Sequence, residues 1–308
     1  KVTLFVCGPT VYDFSHLGHL RTYLAFDIIA NYLRFLGYDV FYLMNITDID
    51  DKIIKKAKEE KIDPLKLAKH FENEFYNDLK QTGIFNNINL FARASEHIPE
   101  IINQIEILIE KKCAYRVDND IYFDIKKFPD YGKLSNQKLD ELKTIRIEPD
   151  KRKKNIQDFS LWKNKTNEKV WSSPWGDGRP GWHIEDTAIT LKHLGTNYCI
   201  HGGAVELAFP HHEAEIAQAE SVTGIKRLAK YWMHTGLLMI KEQKMSKSLK
   251  NYVSIKNILD KYDSSTLKLF FASSHYRSPI DFKQEYLGKT QKNISNIINT
   301  YSRLNDLD

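Results

Sequence analysis

Two histidines, His16 and His19, lie three residues apart in the sequence HLGH near the start of the chain. A short apolar run precedes them and a long pattern with helical spacing follows, which predicts that they lie at the start of a helix. Two imidazoles there can face one phosphate, the helix amino terminus adds partial positive charge, and Gly18 allows close approach to the backbone. HLGH alone is also typical of a capped, solvated turn, so a second signal is needed.

That second signal is a pair of lysines, Lys244 and Lys247, in the sequence KMSKS at residues 244–248. Two ammonium groups on one loop act as point charges suited to the β- and γ-phosphates of a nucleotide. An exposed basic loop would explain KMSKS by itself. HLGH after the first predicted strand and KMSKS after the last, both on one sheet, together predict phosphate chemistry on a nucleotide.

The elements that must position these motifs alternate between strands and helices. Residues 2–7 and 39–45 are apolar runs joined by a helix predicted over residues 18–36, which favours a right-handed parallel crossover in an α/β fold. Ligands of such sheets bind at the carboxyl ends of the strands. We also predict helices at 63–79, 98–111 and 211–221, strands at 197–201 and 237–240, a turn at Gly202-Gly203, and helices from residue 254 onward. The short, broken pieces of residues 113–159 predict an insertion between two halves of the sheet.

Composition limits the class of protein. With 308 residues, 42% of them hydrophobic and 28% charged, the chain is typical of a folded globular protein with more than one domain. No apolar run reaches the ~18 residues of a membrane span and no signal-peptide pattern opens the chain, which predicts a cytoplasmic protein that does not bind membranes. Cys7, Cys113 and Cys199 are an odd, widely spaced set, interpreted as reduced thiols. The net charge of +5 is compatible with a polyanionic partner, although the basic run at 151–154 is interpreted as a solvated loop.

Four longer segments make the interpretation specific. They are FVCGPTVYDFSHLGHLRTYLAFD at residues 5–27, NITDIDDKI at 45–53, RPGWHIED at 179–186 and HGGAVELAFPHHEAEIAQAE at 201–220. With HLGH and KMSKS they resemble the cysteinyl-tRNA synthetases, a family of class I aminoacyl-tRNA synthetases, over nearly the whole chain. The resemblance implies ATP-dependent activation of cysteine, with Mg²⁺, followed by transfer to the 3′ end of tRNA(Cys).

The resemblance also implies an architecture. It predicts a split Rossmann-type parallel sheet with an inserted connective domain and a C-terminal helical region. The domains are then 1–112 and 160–250 for the two catalytic halves, 113–159 for the insertion, and 251–308 for a helical stem-contact region that starts a tRNA-binding domain. Since that last region continues in the family, residues 1–308 are expected to activate cysteine as a monomer but to charge tRNA poorly.

Site residues follow from the family positions that this chain matches. The resemblance assigns the catalytic charge to His16, His19, Lys244 and Lys247. It assigns ATP binding to His16, Gly18, His19, Gly202, Gly203 and Lys247. It assigns cysteine binding to Cys7, Thr10, Thr47, Trp182 and His211, although plain core packing explains Trp182 equally well.

A metal site is implied with one departure. The family holds Zn²⁺ with two cysteines, a histidine and a glutamate, and leaves a position for the substrate thiolate. Here the corresponding residues are Cys7, Asp186, His211 and Glu215, so an aspartate replaces one cysteine. One zinc per subunit, weakly held, is the favoured expectation, and a metal-free pocket is the alternative. His212 and Glu213 are interpreted as structural or nucleotide-side residues rather than ligands.

Two other functions remain open at this point. An ATP-dependent ligase that joins cysteine to an amino sugar, of the mycothiol type, shares many of these motifs. A non-catalytic nucleotide-binding paralogue is the second alternative, but such a protein would be expected to lose the phosphate-contacting groups that this chain keeps at His16, His19, Lys244 and Lys247.

Overall fold

The structure, a computed structural model, describes residues 1–137, 150–165, 170–245, 247, 249 and 251–305. Its first half contains β1 (Val2–Val6), α1 (Leu17–Phe35), β2 (Val40–Ile46), α2 (Asp51–Glu60), α3 (Pro64–Gln81), β3 (Leu90–Arg93), α4 (Ile98–Glu110), β4 (Ala114–Val117) and β5 (Asp120–Phe123). Its second half contains β6 (Phe159–Asn164), β7 (Gly178–Pro180), α5 (Trp182–His193), β8 (Tyr198–Ala204), α6 (Glu213–Thr223), β9 (Ala229–Thr235), β10 (Leu238–Ile240), β11 (Gln243–Lys244), α7 (Ile255–Leu259), α8 (Ser264–Ala272), β12 (Ile280–Asp281) and α9 (Gln284–Asn305).

A parallel sheet of five strands in the order β3-β2-β1-β8-β9 forms the centre of the fold. Its inner strands are buried almost continuously, as β2 illustrates with six of seven residues buried, which is typical of strands covered on both faces, whereas the edge strands β3 and β9 are more exposed. α1 joins the neighbouring strands β1 and β2 and packs its buried Leu20, Leu24 and Phe26 into the same core. The predicted α/β class and its parallel sheet are confirmed.

Two local predictions are wrong. Gly202 and Gly203 do not form a turn but lie inside β8, and a Cβ atom on Gly202 would lie 2.3 Å from the ring of Phe26 on α1. Glycine is therefore needed there for close helix-to-strand packing rather than for chain reversal. KMSKS does not follow the last strand of the central sheet either, because β10 belongs to a separate three-stranded sheet in the order β11-β10-β12. The strand β9 was not predicted from the sequence, because its exposed Tyr231 interrupts the apolar pattern.

The insertion is an antiparallel sheet in the order β4-β5-β6-β7. Two of its strands, β6 and β7, follow residue 159, so the sheet crosses the predicted domain boundary; the division into domains itself stays a prediction. Its core contains the fully buried Trp162. From the basic run, Arg152 forms ion pairs with Asp118 and Asp120 at 3.1 and 2.7 Å, which places its charge within the insertion.

After β11, the helices α7, α8 and α9 follow as predicted, with β12 of the small sheet between α8 and α9. The last helix presents Ile297, Ile298, Tyr301 and Leu304, each 57–66% exposed, along one stripe. Among the helices in the described residues, none combines the length and the apolar character that crossing a membrane would require.

The small sheet is tied to the central one through the buried Arg21 of α1. Its guanidinium donates to the backbone oxygen of Leu237 at 2.5 Å, next to β10, and also to those of Tyr276 at 3.4 Å and Ser278. Arg21 is only 3% exposed, so these carbonyls and the guanidinium satisfy one another away from water. The pairing fixes the segment before KMSKS against the helix that begins with HLGH.

We predict that Arg21→Leu lowers the free energy of unfolding by about 2–4 kcal/mol, because it leaves several buried carbonyl oxygens without donors. Urea denaturation followed by circular dichroism measures the change. The matched control is Arg227→Leu, at an exposed position, which should shift stability by less than about 0.5 kcal/mol. Equal stability of the two variants would contradict this account of Arg21.

Candidate active site

A cavity of about 300 Å³ opens at the carboxyl ends of β1, β8 and β9. Its walls include Cys7, Thr10, His16, Gly18, His19, Trp182, Lys244 and Lys247 from the predicted set. The chain after β1 enters it through Gly8, where a Cβ atom would lie 1.7 Å from the backbone oxygen of Asn45. The location is the one at which open parallel sheets bind ligands: between the neighbouring parallel strands β1 and β8, whose following strands are added toward opposite edges of the sheet.

The two HLGH imidazoles cap the helix that follows them. The backbone N–H of Gly18 donates to His16 Nδ1 at 3.1 Å, the N–H of His16 donates to His19 Nδ1 at 3.3 Å, and the rings stack with centroids 3.8 Å apart. Since both Nδ1 atoms accept, a neutral ring carries its proton on Nε2, which remains as a donor. Burial and the nearby Lys247 lower the pKa of His16 to about 4, and burial holds the pKa of His19 well below its usual value. Both rings are therefore neutral donors at pH 7.

The two KMSKS lysines reach the same cavity from the other side. Lys247 Nζ lies 3.4 Å from Asp13 Oδ2 and 4.7 Å from the centre of the Tyr12 ring. Burial lowers the pKa of Lys247 to about 8, although Asp13 opposes that shift. Lys244 pairs with Glu206, which follows β8.

Backbone contacts hold the lysine segment beside HLGH. Met245 is 2% exposed, and its N–H donates to the oxygen of Leu238 at 2.9 Å. Further along, the N–H of Leu17 donates to the oxygen of Val253 at 3.0 Å, so the start of α1 is bonded directly to the chain that follows KMSKS. Ser246 and Ser248 of the motif lie outside the described residues.

The four predicted metal residues lie together behind the cavity. Cys7, Asp186, His211 and Glu215 offer ligand atoms that all lie within 4.8 Å of one another, and all four are buried. His211 Nε2 lies 3.0 Å from Asp186 Oδ2 and 3.1 Å from Glu215 Oε1. His211 and Glu215 are four residues apart where the chain enters α6, which places them on one face.

A second group of potential ligands shares two of these residues. Cys7 and Glu215 also lie with His201 and His212 inside 4.8 Å, again all buried. His212 Nε2 is 3.2 Å and His201 Nε2 is 3.5 Å from Cys7 Sγ. His201 was not singled out from the sequence, and His212 was interpreted as a structural or nucleotide-side residue rather than a ligand.

The surroundings of Cys7 and Glu215, the two residues common to both groups, disfavour a negative charge on either side chain. Burial, Glu215 and Asp186 raise the pKa of the Cys7 thiol, and burial with Asp186 raises the pKa of Glu215. Within the described part of the chain, neither Glu215 oxygen accepts a hydrogen bond of good geometry. A buried carboxylate that makes no well-formed hydrogen bond among the described residues, beside a thiol and imidazoles, is a donor set that suits a borderline-soft cation such as Zn²⁺.

The remaining predicted residues take distinct positions. Trp182 is 36% exposed to the cavity and stacks on His211 with ring centroids 4.2 Å apart, so it lies between the cavity and the buried cluster. Thr10 pairs by a backbone bridge with Thr47, which is buried behind it. Gly202 and Gly203 are buried in β8, and Gly203 faces the ring of His212.

Two further residues connect the site to the rest of the fold; Asn45 was not singled out from the sequence, whereas Glu213 was interpreted as a structural or nucleotide-side residue. Asn45 accepts from Gly8 N at 2.6 Å and donates to Asp186 Oδ1 at 2.5 Å, which links the loop after β1 to the buried cluster. Glu213 accepts from the N–H and hydroxyl of Ser135 at 2.7 and 2.8 Å, which joins α6 to the insertion. Asn45 and Glu213 lie inside the quoted segments, but only their three-dimensional partners distinguish them from their neighbours.

Known proteins share this fold. A family described as the tRNA synthetase class I (C) catalytic domain matches residues 1–292. A methionyl-tRNA synthetase from Mycobacterium tuberculosis, solved with methionyl-adenylate, has a TM-score of 0.72 at 15% identity, covering 94% of this chain and 68% of that one. A leucyl enzyme from Agrobacterium radiobacter, solved as a ternary complex with tRNA, has a TM-score of 0.70 at 9% identity, with coverage of 98% and 72%. The fold and site define the catalytic domain of a class I aminoacyl-tRNA synthetase.

Two curated relatives identify the family within this class. The cysteine–tRNA ligase of Thermoplasma volcanium is 50% identical over 306 residues, covering 99% of this chain and 67% of its own length. That of Thermodesulfovibrio yellowstonii is 47% identical over 314 residues, covering 100% of this chain and 64% of its own length. The chain belongs to the cysteine–tRNA ligase family, and it spans about two thirds of the length of these curated relatives. Family membership favours the synthetase interpretation over the amino-sugar ligase and the non-catalytic paralogue.

We predict that the Lys247 amine titrates near pH 8, because burial disfavours its charged form. Competitive labelling with an amine-reactive reagent, read by mass spectrometry from pH 6 to 11, should show half-maximal reaction of Lys247 near pH 8, with the exposed Lys61 as internal reference for the reagent. Asp13→Asn should move that midpoint lower, since the carboxylate stabilises the ammonium ion. A midpoint above about pH 10, or no response to Asp13→Asn, would contradict the assigned environment.

Proposed function

We propose that this chain binds ATP and cysteine in the cavity at the end of the central sheet and forms cysteinyl-adenylate. The observation that carries the proposal is the placement of two kinds of group in one cavity. His16, His19 and Lys247 line one part of it, and Cys7 with Trp182 lines another, beside the buried thiol, imidazole and carboxylate cluster. A phosphate site and a thiol-recognising site therefore meet within reach of a single pair of substrates.

The proposed reaction needs positioning rather than a general base. The cysteine carboxylate is ionised at pH 7 and attacks the α-phosphorus of ATP, which enters with Mg²⁺, while the bond to pyrophosphate breaks. Negative charge grows on the phosphate oxygens in the transition state. The Nε2–H donors of His16 and His19 and the ammonium groups of Lys244 and Lys247 stabilise that charge without reorganising.

We propose that the buried cluster recognises the side chain of the amino-acid substrate. Its residues fit Zn²⁺, as the unpartnered Glu215 carboxylate and the Cys7 thiol indicate. Bound zinc would accept a substrate thiolate far better than a hydroxyl, which separates cysteine from serine more strongly than shape can. Cys7 and Glu215 are the ligands common to both groupings, and Trp182 stands between the metal residues and the substrate.

The second proposed step transfers cysteine to tRNA(Cys). A terminal ribose hydroxyl of the tRNA attacks the adenylate and AMP leaves. Since the chain spans about two thirds of its curated relatives, the whole activity, its tRNA specificity, a monomeric state and a cytoplasmic location are proposals for the protein. The names of the relatives, each a cysteine–tRNA ligase, support the tRNA as acceptor.

We predict that cysteine, and no other standard amino acid, stimulates exchange of pyrophosphate into ATP. Serine is the matched control because it differs from cysteine only in the atom that the buried cluster would recognise. Adding tRNA(Cys) or an amino sugar to the preformed adenylate then distinguishes the two acceptors. Comparable stimulation by serine or by another amino acid would refute the proposed substrate.

We also predict that His19→Ala and Lys247→Ala each lower the exchange turnover by about 10²–10³-fold, the usual size for the loss of one transition-state donor. The controls are His275→Ala and Lys61→Ala, the same substitutions at exposed positions away from the cavity. Both controls should keep the wild-type turnover. If a cavity variant is as active as its control, the role proposed for that residue is wrong.

A further inference from the structure

The cavity wall contains a third lysine, to which the proposed function gives no role. Lys52 lines the cavity together with Tyr12, His19 and Lys247, and it comes from α2, the helix that follows β2. We propose that the Lys52 ammonium group binds the β- and γ-phosphates of ATP together with Lys247 and stabilises the pyrophosphate as it leaves. The inference rests on the proposed function and extends it by one catalytic residue.

A single aromatic ring lies beside both ammonium groups. The Nζ atoms of Lys52 and Lys247 lie 5.5 and 4.7 Å from the centre of the Tyr12 ring. Because the face of an aromatic ring attracts cations, Tyr12 offsets part of the repulsion between the two lysines. After burial, which is the main cause, the charge of Lys52 contributes to the lowered pKa of His19 and of Lys247. The charge of Lys52 therefore acts on the space that the two motifs enclose.

The two KMSKS lysines already have carboxylate partners. Asp13 Oδ2 lies 3.4 Å from Lys247 Nζ, and Glu206 pairs with Lys244. Among the ion pairs of the described residues, none includes Lys52, and its side chain is exposed where the cavity opens. An anion that enters the cavity can therefore reach the Lys52 charge without displacing a carboxylate.

The two aspartates that precede Lys52 in the sequence have other partners. Asp50 Oδ1 accepts the backbone N–H of Lys52 at 2.8 Å and thereby caps α2. Asp51 Oδ2 lies 2.9 Å from Lys163 Nζ, and its other oxygen pairs with Arg179. Neither carboxylate forms an ion pair with the Lys52 ammonium group, although both lie close to it along the chain.

The position of Lys52 is unfavourable for the helix itself. Lys52 is the second residue of α2, where the helix dipole disfavours a cation. Lys56 follows four residues later on the same face, and like charges at that spacing destabilise a helix. Local preferences of this kind are typically broken where a side chain has a function. The placement of Lys52 therefore supports an anionic ligand in front of α2.

Adenylate formation creates such an anion at this place. An oxygen of the cysteine carboxylate bonds to the α-phosphorus, the bond from that phosphorus to the bridging oxygen breaks, and pyrophosphate leaves with the electron pair. No proton moves to or from Lys52. Its ammonium group donates hydrogen bonds to the oxygens on which negative charge grows, so it stabilises the transition state as Lys247 does.

Binding measurements on the purified full chain test the inference in the absence of cysteine. Isothermal titration calorimetry gives the affinities for ATP with Mg²⁺, for inorganic pyrophosphate and for AMP. Lys52→Met removes the charge but keeps a long side chain. It should weaken the binding of ATP and of pyrophosphate by about 10-fold, the size expected for one lost charge-assisted hydrogen bond, and leave AMP binding unchanged. AMP is the discriminating ligand because it lacks the β- and γ-phosphates.

Two matched variants control for structural effects. Lys55→Met makes the same substitution on the same helix, at an exposed residue that is not part of the cavity wall, and should bind all three ligands as the wild type does. Lys52→Arg keeps the charge and should retain most of the affinity. In the pyrophosphate exchange assay, Lys52→Met should lower the turnover by about 10–100-fold and leave the KM for cysteine unchanged.

The outcomes separate this inference from the proposed function. Wild-type affinities in Lys52→Met, or an equal loss for ATP, pyrophosphate and AMP, would refute the role of Lys52. If Lys52→Met selectively loses ATP and pyrophosphate but cysteine does not stimulate exchange in the wild type, only the proposed function is wrong. A wild-type chain that binds neither ATP nor pyrophosphate would overturn both.

Discussion

The pairing of β1 with β8 is the constraint on which the site depends. Parallel hydrogen bonds place Phe5 beside His201 and Val6 beside Gly202, and the N–H of Cys7 continues the ladder to the oxygen of Gly202 at 3.0 Å. Segments that are distant in sequence are thereby aligned to within one residue. A slip of one residue would turn Cys7 to the other face and separate it from both histidine groupings.

Electrostatics divides the cavity into two regions that work differently. The phosphate side uses neutral imidazole donors together with cations, and burial keeps His16 and His19 uncharged beside Lys247. The buried cluster instead concentrates a thiol, carboxylates and imidazoles in buried positions, a set of groups that could hold a cation. Trp182 lies at the boundary and allows the two environments to differ within one cavity.

Much of this was predictable from sequence. HLGH and KMSKS, with the apolar runs before and after them, predicted a parallel α/β fold and the meeting of His16, His19 and Lys247, although Lys247 reaches the cavity from the small sheet rather than from the central one. The small sheet that carries Lys244 was not predictable, since β11 and β12 have two residues each and form only through tertiary pairing. The second group of potential ligands, which contains His201 and His212, could not be predicted for a similar reason. His201 lies on a strand and His212 in the turn before α6, and no spacing rule relates them.

Arg21 connects HLGH to the chain that leads into KMSKS, and this connection affects the entropy cost of binding a nucleotide. It lies two residues after HLGH and holds the chain that leads into the lysine segment, while Val253 bonds back to the start of α1. The relative position of imidazoles and ammonium groups is thus set when the chain folds. A nucleotide entering the cavity does not have to order these groups, so more of its binding energy remains available for the transition state.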